Sequence, residues 1–276
     1  MIPFNFEYYK PSTITGAVEA FQTAHDLGQH TVYYSGGTEF ITFARTNKLH
    51  ADVVIDLKGI PECKALELDE NDLIIGTGVS LNKISESGLF PLLGETVKRI
   101  ADHTSRNKIT LGGNLNSQLM YREGILPLLL ADAKVKIAGK DTPVALDKVF
   151  HHEITLEPSA FLAQIIVDQS YLKLPFSTMK RTRFSKVGYP VATVAALMKD
   201  EELRIAFSGV CEFPFRSADV EAILNDTSMP AENRIEEAIT YFPAPLVHDM
   251  HASAEYRRFV LKNLMTETLH ALEAAK

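Results

Sequence analysis

The chain has no tryptophan and only two cysteines in 276 residues. Two thiols cannot hold an iron–sulfur cluster, which takes four protein ligands, mostly thiolates. Cys63 and Cys211 form no Cys-x-x-Cys pair, so both read as buried or idle thiols. His151-His152-Glu153 and His248-Asp249-Met250-His251 lack further ligands at a metal-site spacing and read as surface histidines; no metal is expected. No apolar run approaches the ~20 residues of a membrane span. The N-terminus lacks a basic n-region followed by an apolar h-region. A cytoplasmic protein with no membrane partner is expected. Positive charge is also short: the net charge of −7 argues against a nucleic-acid partner. Neither Gly-x-Gly-x-x-Gly nor Gly-x-x-x-x-Gly-Lys-Ser/Thr occurs, so the usual Rossmann fingerprint and the P-loop are excluded.

What is present is a pair of glycine loops. Ser35-Gly36-Gly37-Thr38-Glu39 lies between a strand-like run, Thr31 to Tyr34, and a helix-like run. Thr110-Leu111-Gly112-Gly113-Asn114 is a second copy of the idea. Paired glycines let backbone N–H groups close on a bulky anion, and a helix N-terminus adds to the effect. One such loop is commonly a tight turn. Two, far apart in sequence, suit the two phosphates of a dinucleotide.

Hydrophobic residues make up 46% of the chain, enough for one large or two modest domains. Pro11 to Gly28 reads as a helix, and Val53 to Asp56 as a buried strand that completes a βαβ-like unit. Leu66 to Gly76 reads as a hairpin, and Pro91 to about Asp102 as a helix bearing Leu92, Thr96 and Ile100. Gly124 to Ala133 reads as a buried helix. Strands are expected at Phe161–Val167, from Tyr171 into Lys180, and at Val191–Met198 and Leu203–Cys211. The last helix, from Ser253, is expected to set Tyr256, Phe259, Val260 and Leu264 on one face. The fold class is α+β in two parts, divided near Pro175.

The ordered motifs resemble those of the FAD-binding middle subunit of the molybdenum hydroxylases, the family of xanthine dehydrogenase and carbon monoxide dehydrogenase. The first loop is similar to the family's Ala-Gly-Gly-Thr-Asp, and the second to its Thr-Ile-Gly-Gly-Asn. Arg204 to Val210 and Ser253 to Arg258 resemble its two C-terminal signatures. The resemblance implies a PCMH-type FAD-binding domain of two α+β subdomains over residues 1–175. A smaller C-terminal α+β domain, an antiparallel sheet with helices, would follow over 176–276. It implies FAD contacts from Tyr33, Tyr34, Ser35, Gly36, Gly37, Thr38, Glu39 and Phe40, and from Thr110, Leu111, Gly112, Gly113 and Asn114. Ile100, Glu123, Leu162 and Lys180 match further contact positions. Arg183 to Pro190 resembles a segment over one face of the flavin, with Tyr189 as its aromatic residue. The chain departs from the family's Ser-Pro-x-x-Asp: the proline is missing, and Glu123 stands where the family has Asp. The cysteines of an inserted iron–sulfur loop, as in benzoyl-CoA reductases, are absent.

The resemblance also implies an oxidoreductase subunit that is active only in a complex. A [2Fe–2S] small subunit and a molybdopterin large subunit would be its partners and NAD+ its acceptor. A purine is the implied substrate, with carbon monoxide, an aldehyde or an N-heterocycle as alternatives. The flavin would be non-covalent, because neither loop carries His or Cys. Two other classes are weighed against this one. A stand-alone oxidase of the vanillyl-alcohol-oxidase type would not co-purify with an iron–sulfur protein, and a non-redox scaffold would show no flavin absorbance.

Overall fold

A computed structural model describes residues 2–274 of the chain. The first sheet is parallel, in the order β1 (Glu7–Tyr9), β3 (Val53–Asp56), β2 (Thr31–Tyr34). Helix α1 (Ile14–Asp26) precedes β2, with Thr13 accepting from the Gly16 N–H as its cap. It buries Ala17, Phe21 and Ala24 against the sheet core. Helix α2 (Thr38–Arg45) crosses from β2 to β3, so the βαβ reading holds.

The second sheet is antiparallel, in the order β4-β5-β8-β6-β7. Its strands are β4 (Leu66–Asp69), β5 (Asp72–Gly76), β6 (Lys134–Ile137), β7 (Val144–Ala145) and β8 (Leu162–Asp168). The hairpin β4–β5 pairs Leu68 with Leu73. Between β5 and β6 run five short helices: α3 (Leu81–Ser87), α4 (Pro91–Val97), α5 (His103–Arg106), α6 (Leu111–Leu115) and α7 (Leu126–Leu130). The expected helix from Pro91 to Asp102 is thus split. Ala101 takes φ +48°, and Asp102 caps α5 by accepting from the Ser105 N–H at 2.8 Å. A left-handed residue followed by an Asp cap breaks the i→i−4 ladder, although helical periodicity runs through it.

The third sheet is antiparallel: β9 (Phe176–Thr182), β10 (Pro190–Lys199), β11 (Glu202–Ser208) and β12 (Phe215–Arg216). It is covered by α8 (Ala218–Asn225), α9 (Ala231–Thr240) and α10 (Ala254–Glu273). Alternate residues of its central strands enter different cores, as period-2 side-chain alternation requires. Val194 and Ala196 pack under α8–α10 with Ile205 and Phe207. Ala195, Leu197 and Ala206 pack into the core of the second sheet and α3–α7. This explains a strand that is apolar on both faces.

One face of α10 differs from expectation. Val260 and Leu264 are buried, but Tyr256 and Phe259 are exposed, and Leu261, Met265 and Leu269 take the inner positions. Arg257 is wholly buried. Its guanidinium donates to the carbonyls of Val191 (2.8 Å), Gly209 (2.6 Å) and Val247 (2.9 Å) and to Asp249 (2.6 Å). A buried charge persists when most of its donors are met and a carboxylate stands beside it, as here with four of the five N–H groups engaged.

Candidate cofactor cleft

Strand β2 delivers the first glycine loop. The Lys58 ammonium donates to the Ser35 carbonyl and to Asp56, both at 2.8 Å, and stands 4.3 Å over the Tyr34 ring. Asp56 also accepts from the Tyr8 hydroxyl. Burial alone would raise this carboxyl; the bonds from Lys58 and Tyr8 hold it below the usual value. The loop is therefore fixed from below by the ion pair of Asp56, the last residue of β3, with Lys58 two residues further on.

The glycines have separate reasons. A Cβ on Gly36 would lie 2.0 Å from the Lys108 carbonyl oxygen, so it lets the first loop touch the backbone leading to the second. Gly37 has φ +74°, and a Cβ there would lie 2.2 Å from the Tyr34 hydroxyl oxygen and 2.3 Å from the ring. Gly112 lies under Thr77, whose Cβ is 2.6 Å from the added atom. A Cβ on Gly113 would meet only Thr110 Oγ1, at 3.1 Å; the remaining space is open to the cleft.

The amides of the two loops differ. Gly37 caps α2 without any side-chain acceptor, and the first-turn N–H groups of a helix have no partner within it. In the second loop four of the five N–H groups are engaged within the protein. Leu111 donates to Val79 O (2.9 Å), Gly112 to Thr77 O (2.8 Å), Gly113 to Thr110 Oγ1 (3.2 Å) and Asn114 to Thr110 O (2.9 Å). The expectation that both loops offer free amides to an anion is corrected for the second, because Thr110 caps α6 and Thr77 and Val79 bind it to the sheet.

The two loops border one cleft of about 960 Å³. Tyr33, Tyr34, Ser35, Gly36, Gly37, Thr38, Glu39 and Phe40 line one wall, and Thr110, Gly112, Gly113 and Asn114 another. Leu111 does not reach it: its side chain is buried in the core beneath. Tyr33 stacks on Phe21 (4.9 Å), packs against Phe161 (4.8 Å), and donates to the Ser159 carbonyl at 2.6 Å. Glu39 accepts from the Ser117 hydroxyl and from the Gln118 N–H (3.1 Å), tying α2 to the segment after the second loop. Asn114 Oδ1 accepts from the Gly124 N–H at 2.9 Å and fixes the turn that carries Glu123.

Ile100, Glu123, Leu162, Lys180 and Tyr189 also line the cleft. Ile100 and Leu162 are nearly buried. The Lys180 ammonium stands 2.8 Å from Glu123 Oε1 and donates to the Arg99 carbonyl at 2.9 Å. Glu123 is only 3% exposed. Its contact with Lys180 is a close charge pair rather than an aligned hydrogen bond. Burial pushes the Glu123 carboxyl up, and Lys180 pulls it part of the way back. Tyr189 is half exposed and stacks on Tyr121 at 4.7 Å, with His251 edge-on to it at 6.0 Å. His251 is thus a half-buried neighbour of that ring and not a free surface histidine.

Sequence reading missed Lys58, Ser117, Tyr121 and Arg122. Only Asp56 gave a signal, as an acid ending a buried strand. The others reach the cleft through tertiary contacts that no spacing encodes.

A parallel βαβ unit and an antiparallel sheet meeting at glycine loops define a cofactor-holding α+β protein. Residues 4–169 match the FAD binding domain in molybdopterin dehydrogenase, and residues 183–272 the CO dehydrogenase flavoprotein C-terminal domain. The chain belongs to this molybdenum hydroxylase family of FAD-binding subunits. It is 29% identical over 119 residues to a carbon monoxide dehydrogenase medium chain of Hydrogenophaga pseudoflava, covering 42% of this chain and 40% of that one. It is 26% identical over 277 residues to a nicotine 6-hydroxylase medium subunit of Paenarthrobacter nicotinovorans, covering 95% of each. A chain of the solved carbon monoxide dehydrogenase from Hydrogenophaga pseudoflava superposes with a TM-score of 0.87 at 23% identity, over 99% of both chains. The α+β architecture is therefore that of the family.

The cofactor of the family is FAD. The residues of the cleft fit it. The amides of the first loop are uncapped, the space over Gly113 is open, and Ser35 Oγ and Arg122 Nε are buried without a partner.

Proposed function

We propose that the chain is the electron-transfer subunit of a three-component molybdenum hydroxylase. It would receive electrons from a [2Fe–2S] small subunit fed by a molybdopterin large subunit, and pass them to NAD+. The observation that supports this most is the single cleft walled by both glycine loops, with a buried Glu123–Lys180 pair in its lining. Bound FAD supplies the exchange between one-electron and two-electron carriers. The chain's own residues hold and orient it. The first loop and α2 present amides, Ile100 and Leu162 present apolar surface, and Lys180 presents a fixed positive charge. Tyr189 and Tyr121 form a stacked pair in the cleft lining that can admit or exclude an acceptor. The contacts expected of the other cleft residues are part of the same reading, as is the domain division at 175/176, where β9 opens the third sheet.

Two cysteines leave the metal clusters to partner chains. The relatives compared above are named for carbon monoxide and for nicotine, an N-heterocycle, and not for a purine, so those substrate classes stand at least level with it. We assign the cytoplasm. Among the described residues both thiols are free and no helix is long and apolar enough to cross a membrane.

The test is purification of the chain alone and with its genomic neighbours. The expected result is a yellow chain with one FAD that oxidises no purine by itself, and co-purification of an iron–sulfur and a molybdopterin protein. Purine oxidation by the single chain, or a colourless chain that takes up no FAD, would refute the proposal.

A further inference from the structure

Arg122 raises a question that the fold does not answer. It is 8% exposed and lines the cleft. Its Nε is buried with no acceptor, and among the described residues no carboxylate forms an ion pair with it. The charges that influence it most are Glu153 and Glu39. Glu39 is already engaged by Ser117 and Gln118. Phe150 lies 5.9 Å from the guanidinium and offers an apolar face rather than an acceptor. The contrast with Arg257 is direct, since that buried guanidinium reaches three carbonyls and a carboxylate. A buried guanidinium without partners costs free energy, so its place needs a reason outside the chain.

The second glycine loop supplies the reason. Four of its five amides, those of Leu111 to Asn114, are engaged within the protein, so that side of the cleft offers an anion fewer free backbone donors than the first loop does. Arg122 sits on the same side. It is two residues before Gly124, whose N–H is bound to Asn114 of that loop. We propose that Arg122 is the anion-binding residue for the cofactor's diphosphate on the second-loop side of the cleft, doing with a guanidinium what the first loop does with amides. This rests on the reading of the cleft as an FAD site. A guanidinium fork matches phosphate oxygens in a bidentate geometry that an ammonium does not.

The assignment predicts opposite effects on binding and on stability. The experiment uses the purified chain stripped of flavin, its Arg122→Gln and Arg122→Lys variants, and two probes: FAD, and riboflavin, which has no phosphate. Binding is read by flavin fluorescence across a salt series. The Arg122→Gln variant should lose FAD affinity by about 10- to 100-fold, the scale of a charged hydrogen-bonding contact. Its affinity should depend less on salt than the wild type's, and riboflavin should bind both equally. The Arg122→Lys variant should recover part of the loss. Flavin-free Arg122→Gln should melt at or above the wild-type temperature, because an unpaired buried charge is gone. FAD affinity within twofold of wild type, or equal losses for FAD and riboflavin, would overturn the role of Arg122 and leave the FAD site standing. A lower melting temperature for flavin-free Arg122→Gln would also overturn it, since Arg122 would then be a structural residue. A wild-type chain that binds neither probe would overturn the FAD site itself, and this proposal with it.

Discussion

Replacing Lys180 with methionine isolates the energetics of the cleft lining. The change keeps most of the length and the apolar character of the stem and removes the ammonium that stands 2.8 Å from Glu123. Glu123 would then be buried with no cation beside it. Breaking one partner of a buried ion pair costs about 3–5 kcal/mol. For a chain of this size, about 2–4 °C of melting temperature accompanies each kcal/mol, so a drop of roughly 6–20 °C is expected. The sign with pH follows from the carboxyl. Burial raises it above its ordinary value of 4.5, and the variant removes the pull that lowered it. A group whose folded pKa is raised binds more protons folded than unfolded. Its destabilising effect is absent below the unfolded value and grows as pH rises from there towards the folded value. The gap between wild type and Lys180→Met should therefore be small near pH 4 and wide at pH 8. The assay is thermal unfolding of flavin-free protein across that range. The double variant Glu123→Gln/Lys180→Met should close most of the gap at pH 8. A loss independent of pH, or a double variant no better than the single one, would show that Lys180 acts by packing and would refute the charge argument.

The glycines and the aromatic pair give sharper contrasts. Gly113→Val should leave a folded chain with little bound FAD, because the added side chain meets only Thr110 Oγ1 and otherwise enters the cleft; normal flavin occupancy on purification would refute this. Gly37→Val should instead fail to accumulate as soluble protein, or melt more than about 5 °C lower, since φ +74° and the Tyr34 ring both exclude a β-branched residue. On the proposed route of electrons to NAD+, Tyr189→Ala in the assembled enzyme should change NAD+ reduction or leak electrons to oxygen. Turnover with a dye that accepts electrons upstream of FAD should stay unchanged, and stopped-flow rates that fall equally with both acceptors would remove the gating role.

What could be read from the sequence follows a physical division. Local signals were reliable. Thr31 to Tyr34 is a strand that opens into a Gly-Gly loop and a helix, and the hairpin at Asp69–Asp72 forms where the turn residues place it. Signals that depend on a third element were not. Periodicity carried the α4 helix through Ala101, because a left-handed residue leaves no mark on an apolar pattern. The burial of Arg257 left no mark on the sequence, because it depends on the carbonyls of Gly209 and Val191, 48 and 66 residues away, and on that of Val247, 10 residues away. The glycine loops were recognisable as loops, but which one kept its amides free was set by Thr77, Val79 and Thr110.

The two-faced third sheet makes the molecule mechanically indivisible at its centre. Ala195 and Leu197 belong to the core that backs the flavin cleft, and Val194 and Ala196, on the same strand, to the core under α10. Arg204 and Arg216 add charged ties across the join, meeting Asp132 at 2.5 and 2.8 Å. Melting either core strips one face of β10 and exposes the other core to water. The two halves of the chain are therefore expected to unfold as one cooperative unit, so that free energy gained when a ligand fills the cleft is felt at the far C-terminal helix.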